Sequence, residues 1–208
     1  MIDEFPTSHF LDALASAAPT PGGGGAAAIM GAMGAALISM VANLTIGKKG
    51  YETVEAEMRA LLAQSESLRT RLAAMVAEDA SAFDSLIAAY GLPKASDAEK
   101  ASRSEAIQAS LKLATLAPLA CARACAEGVR LAERAVEHGN ANVISDVGIA
   151  VLASWAALRS AALNVNINTP HIKDRGFAAS TMHELEALLV ECMPLAEKVH
   201  SRVQAKLG

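Results

Sequence analysis

The chain has 208 residues, enough for one sizeable core, and 52% of them are hydrophobic while only 3% are aromatic. A formal net charge of −4 lacks the clustered Lys and Arg of a nucleic-acid surface, so no nucleic-acid partner is expected. Cys121, Cys125 and Cys192 show neither zinc nor redox spacing and read as small buried apolar residues in a reducing cytoplasm.

In chain order, the pattern predicts helices throughout and no convincing strand. A short helix covers about 8–18, ended by Pro19 and Pro21. A second runs from about Gly24 to Thr45, after the glycine run 22–25, with Gly47 and Gly50 as stop signals. No charge occurs from Ala13 to Gly47, which invites a membrane span. Pro21 and the glycines interrupt that run, and its helical part is mostly Ala, Gly and Met, so we expect a core helix and no membrane partner.

The third helix, 54–90, is marked by Val54, Met58, Leu61, Leu68, Leu72, Met75, Phe83, Leu86 and Tyr90 at three- and four-residue spacing. It is longer than a small globular domain is wide, which predicts a bend or a second chain packed against it. Ser96-Asp-Ala-Glu reads as a capping box opening a fourth helix that kinks at Pro118 and ends at His138. A fifth covers about Ser145 to Val165, and a sixth about Ile172 to Lys206.

Several residues break these patterns. Asp79 sits on the apolar stripe of the third helix, where a carboxylate either finds a partner or has its pKa raised. A structural buried Asp and a functional one are equally compatible with that position. Asp146 opens the fifth helix, where it or Ser145 serves as a cap, or where it faces a ligand. It shares a face of small residues with Asn164, five turns away, so the two stand about 27 Å apart and cannot join one site within one chain. Asn43 ends a similar small-residue face on the second helix. Lys48 and Lys49 suit a helix C-terminus but also a carboxylate or phosphate. The glycine run offers either a tight turn or backbone N–H groups for an anion. Glu197-x-x-His200 lacks the second pair of a di-iron bundle, and the other histidines lack zinc spacing, so no metal is expected.

Taken together, Pro19-Thr-Pro-Gly-Gly-Gly-Gly-Ala-Ala, Met40-Val-Ala-Asn-Leu-Thr-Ile-Gly-Lys-Lys-Gly-Tyr51, Asp79-Ala-Ser-Ala-Phe-Asp84, Gly91-Leu-Pro-Lys94, Gly139-Asn-Ala-Asn-Val-Ile-Ser-Asp146 and Ala162-Leu-Asn-Val-Asn-Ile-Asn168 resemble the cyclodeaminase/cyclohydrolase family of folate enzymes. The match spreads over about residues 8–190, and looks closest to the free-standing cyclohydrolases of methylotrophic bacteria. Relatives often carry Ser after three glycines where this chain has Gly25, so a hydroxyl there is not needed.

The resemblance implies an all-α multihelical bundle, a single domain over 1–208, and an intertwined homodimer whose interface the third helix crosses. It implies hydrolysis of 5,10-methenyltetrahydrofolate to 10-formyltetrahydrofolate, with the folate as substrate and neither cofactor nor metal. The catalytic pair it implies is Asp79 and Asp146. Asn43, Asn140, Asn142, Ser145 and Asn164 would bond the pterin, with Gly23 and Gly24 beside it. Lys48 or Lys49 would hold glutamate carboxylates, with Lys94 after them. Two alternatives stay open: a formiminotetrahydrofolate cyclodeaminase releasing ammonia, and a non-enzymatic helical scaffold or folate-binding protein in which both aspartates matter only for folding.

Overall fold

The computed structural model describes residues 5–208, all α among them with no strand. A short helix α1 (Phe5–Leu14) is followed by five long ones: α2 (Gly23–Asn43), α3 (Glu55–Tyr90), α4 (Asp97–His138), α5 (Ile144–Asn168) and α6 (Arg175–Leu207). The first helix ends earlier than expected because the Ser16 hydroxyl donates to the Ala13 carbonyl and accepts from the Ala18 N–H, turning the chain. The last begins at Arg175, where Asp174 accepts from the Phe177 N–H as its cap. The capping box at Ser96 and Glu99 forms as read.

α2 lies at the centre because its residues are small enough to let three helices approach it. Gly24, Gly31 and Ser39 meet Asp79, Leu72 and Ser65, so α3 runs antiparallel to α2. Gly23 and Gly34 meet Asn164 and Ser154, so α5 is antiparallel to it as well. A Cβ on Gly34 would stand 2.5 Å from the Ser154 hydroxyl and 2.9 Å from the Ala150 carbonyl, and one on Gly128 of α4 would stand 2.7 Å from the same hydroxyl. The three helices therefore cross at backbone contact around one serine, whose buried Oγ has no hydrogen-bond partner. Gly23–Asn43 and Ala141–His171 have the length and apolarity to cross a membrane; in the bundle 56% and 44% of their apolar windows are buried.

The length of α3, about 54 Å, is matched within the chain by the 42 residues of α4 running antiparallel beside it. Arg71 pairs with Glu127 and Arg134 with Glu57 across them. α4 continues through Pro118 to His138, as expected. Proline has no N–H to give the Ala114 carbonyl. The Asn168 side chain takes its place, its Nδ2 donating to Ala114 O at 2.8 Å. α6 runs parallel to α4, held along one seam by Arg123–Glu184, Arg130–Glu191, Lys198–Glu133 and Arg202–Glu137. All three cysteines are buried and free, and burial holds the Cys192 thiol up at about 11.

Candidate active site

The main core, on α2 to α6, stops at the N-terminus of α2. Beyond it α3 and α4 continue and close a smaller cluster of Leu86, Leu111, Ile172 and Ala178. Between the two lies a cavity of about 390 Å³. Its floor is one face of α3: Asp79, Phe83, Leu86 and Tyr90, at the spacing of successive helical turns. Gly22, Gly23 and Gly24 cover one end with Asn164, while Leu111, Asn168 and His171 close the other.

Asp79 is the ionisable group at the glycine end. It is half-buried, and burial pushes its carboxyl above the ordinary aspartate range, partly offset by a hydrogen bond from the Gly25 N–H. Both readings of the glycine run hold together. The run is a close-packed helix start, and the anion it faces is a side chain of the same protein. Gly24 has no alternative there, because a Cβ would sit 2.2 Å from the Asp79 Oδ1. Asn164, on the last turns of α5, donates Nδ2 to Ser160 O and lies beside Gly23. Asp79, Asn164, Gly23 and Gly24 thus line one end of the same cavity.

Lys94 lies apart, beside Lys100 and Arg103, and the other expected residues gather at the far end of α2. Lys48 Nζ donates to Asn140 Oδ1 at 2.9 Å. Asn140 is buried, its Nδ2 donating to Leu44 O and its backbone N–H to the Thr45 hydroxyl. The Tyr51 hydroxyl accepts from Ala141 N–H, and Asn140 Oδ1 also accepts from Asn142 N–H. Gly47 and Gly50, at φ of 71° and 88°, let the chain turn back to place Lys48 here. Asn43, Lys49, Asn142 and Ser145 are exposed, and Asp146 is half-buried on the first turn of α5. Neither Ser145 nor Asp146 caps that helix, which follows a turn of 3-10 helix at 141–143 and has no side-chain cap. Within one chain, then, Asp146 and its neighbours do not reach the Asp79 cavity.

Tyr90, Asn168 and His171 were not expected at the site. Tyr90 was legible, since it continues the Asp79–Phe83–Leu86 face. Asn168 was not, because its partner is a carbonyl freed by a proline in a different helix.

The chain matches the sequence model of the Formiminotransferase-cyclodeaminase family over residues 6–187. It is 58% identical to the methenyltetrahydrofolate cyclohydrolase of Methylorubrum extorquens over 199 residues, 96% of each chain. It is 33% identical to the formimidoyltransferase-cyclodeaminase of Sus scrofa over 97% of this chain and 37% of that protein. The crystal structure of the formiminotetrahydrofolate cyclodeaminase from Thermotoga maritima, 33% identical, superposes with a TM-score of 0.83 over 100% of this chain and 98% of that one. A helical bundle with an aspartate under its glycine-rich helix start, matched over nearly its full length by these proteins, makes this chain a member of the formiminotransferase-cyclodeaminase family.

Proposed function

We propose that the chain is a methenyltetrahydrofolate cyclohydrolase, converting 5,10-methenyltetrahydrofolate to 10-formyltetrahydrofolate. The observation that carries this is the 58% identity, over 96% of both chains, with a protein of that activity.

The chemistry asks little beyond what the cavity holds. The substrate carbon between N5 and N10 is an amidinium centre, already electrophilic. Water adds to it and gives up one proton. The resulting carbinol then loses its O–H proton as the C=O forms and the C–N5 bond breaks, and N5 is protonated. One proton is released overall. A carboxylate beside the amidinium steadies its charge and can take the proton of the incoming water. Asp79 has the features for both roles. Its raised pKa makes it a stronger base than an exposed aspartate, and its one backbone hydrogen bond leaves oxygen lone pairs for the ligand. Asn164 stands where it can bond the pterin, and Phe83, Leu86 and Tyr90 offer an apolar floor to the aromatic arm.

Asp146 enters the same reading only through a second copy. Between the two polar ends runs an unpartnered apolar face, with Met33 (60% exposed) and Met40 on α2 and Ile149 (54%) and Ile167 (68%) on α5. A second copy packed on this face about a twofold axis, with α2 against α2 antiparallel, would set the Asn43–Lys48–Asn140–Asp146 end of one subunit against the Asp79 cavity of the other. The homodimer and the pairing of the two aspartates therefore belong to one proposal.

The cyclodeaminase reading keeps one point in its favour, the full-length superposition on the Thermotoga structure. The deciding experiment mixes purified protein with methenyltetrahydrofolate, follows loss of its near-ultraviolet absorbance, and repeats with 5-formiminotetrahydrofolate while reading ammonia. Hydrolysis faster than the spontaneous rate, without ammonia release from the second substrate, is the expected result. The reverse pattern would make the chain a cyclodeaminase, and no turnover of either would leave a scaffold or binding protein.

A further inference from the structure

Three polar side chains of the Asp79 cavity are left with acceptors to offer. Asn164 and Asn168 stand one turn apart on α5, about 6 Å, and both line the cavity. Each commits its Nδ2 to a backbone carbonyl, Asn164 to Ser160 O at 3.1 Å and Asn168 to Ala114 O at 2.8 Å. A carbonyl oxygen can only accept, so neither amide can be turned over, and Oδ1 is the free end of both. Neither Oδ1 accepts a hydrogen bond among the described residues. That of Asn168 does not even cap the 3-10 turn Thr169–His171 that follows it. Asp79, bonded by the Gly25 N–H, is the third acceptor.

The orientation of Asn168 is set from another helix. Pro118, buried in α4 and not part of the cavity lining, leaves Ala114 O without its helical donor, and the Asn168 amide fills that place. With an N–H at position 118 the amide would be free to turn. An acceptor without a partner is hydrated while the cavity is open, and it costs free energy once a ligand displaces that water without bringing a donor. The pterin carries such donors, and the one farthest from the amidinium is its 2-amino group. Asn168 is likewise one turn farther than Asn164 from the glycine end where Asp79 lies. Resting on the folate reading above, we infer that Asn168, aimed by Pro118, is a specificity-determining residue whose Oδ1 accepts a hydrogen bond from the 2-amino group of the pterin. The pterin then lies against α5 and the aromatic arm on the α3 floor, the two joined at the amidinium over Asp79. A ligand with an apolar group in place of the 2-amino group leaves Oδ1 buried and unpaired, and is rejected for that reason.

The test measures calorimetric Kd for 5-formyltetrahydrofolate, a folate that is not turned over during the titration, and for its analogue with a methyl in place of the 2-amino group. The wild type should bind the amino compound about tenfold more tightly, the scale of one net hydrogen bond. Pro118→Ala returns an N–H to Ala114 O and releases the Asn168 amide, so the ratio should fall severalfold with the melting temperature held or raised. Asn168→Ala, made in the Pro118→Ala background where it orphans no carbonyl, should bring the two affinities together. Equal affinities in the wild type would overturn the inference. So would a wild-type ratio that persists in either variant. Turnover of methenyltetrahydrofolate is scored separately: a preference of this size without turnover sinks the hydrolase reading and leaves the Asn168 contact standing, and turnover without the preference does the opposite.

Discussion

Asp79 carries two opposed influences, burial that favours its neutral form and the Gly25 N–H that favours its charged form, and burial prevails. A base must be ionised to act, so kcat/KM for cyclohydrolysis should rise with pH along a limb whose midpoint lies above the ordinary aspartate value of about 3.9. Stability should move the other way. A carboxyl whose folded pKa is raised keeps its proton where the unfolded chain has lost it, so stability falls as pH climbs between the two values. Asp79→Asn removes that cost while keeping an acceptor for Gly25. It should hold or raise the Tm at pH 7 and lower turnover at least about a hundredfold. A lower Tm with turnover per folded molecule intact would reduce Asp79 to a structural anchor. Gly24→Ala probes the same contact from the other side. Its methyl would displace the carboxylate, and that side chain can swing away, so activity should fall steeply with a loss of stability under about 2 kcal/mol. An active Gly24→Ala enzyme would show that the observed position of the carboxylate is not the working one.

At the scale of the elements, the sequence carried most of the architecture, and its errors have local causes. Hydrophobic spacing located every long helix to within a few residues, because apolar faces at helical period are what burial requires. The ends moved where side chains outside the periodic pattern intervened, as Ser16 and Asp174 do. The helix runs on through Pro118 because a side chain 50 residues later supplies the missing donor, a long-range compensation that no local pattern encodes. Asn168→Ala should therefore cost about 1–3 kcal/mol in denaturant unfolding, the penalty of an unsatisfied carbonyl, despite deleting a small polar side chain. Ser154→Ala is the contrasting case. Its hydroxyl has no partner at the α2–α4–α5 crossing, so the variant should be neutral or more stable. A loss for Ser154→Ala comparable to that of Asn168→Ala would mean that the hydroxyl is bonded after all.

At the scale of the molecule, the candidate site was half legible. The residue types were readable one by one, and so was the 27 Å rise that keeps Asp146 from Asn164, but which group meets which depends on helix pairing and, in the dimer we propose, on a second copy. A mixing experiment addresses that directly. If Asp79 of one subunit works with Asp146 of the other, Asp79→Asn and Asp146→Asn homodimers should both be inactive. Heterodimers formed by mixing and refolding them should regain about half the wild-type activity, because one of their two sites then holds both native aspartates. A mixture as inactive as its parents, with subunit exchange verified, would place both residues in separate roles. Met33→Glu with Ile149→Glu should give a monomer in sedimentation at micromolar concentration.

The ion pairs between α4 and α6 have a further consequence. Read down the seam, α4 presents Arg123, Arg130, Glu133 and Glu137, and α6 answers with Glu184, Glu191, Lys198 and Arg202. The sign inverts halfway. Each exposed pair contributes little, about 0–1 kcal/mol. The inversion nevertheless makes the seam a vernier with one matching position. Sliding α6 by one heptad would bring Glu191 opposite Glu133, setting like charges against each other where uniform charge would have allowed the slip. The same code binds any foreign copy of α6: a helix exchanged between two chains during folding can dock only parallel and in this one register, so domain exchange would rebuild the native seam and could not create a shifted one.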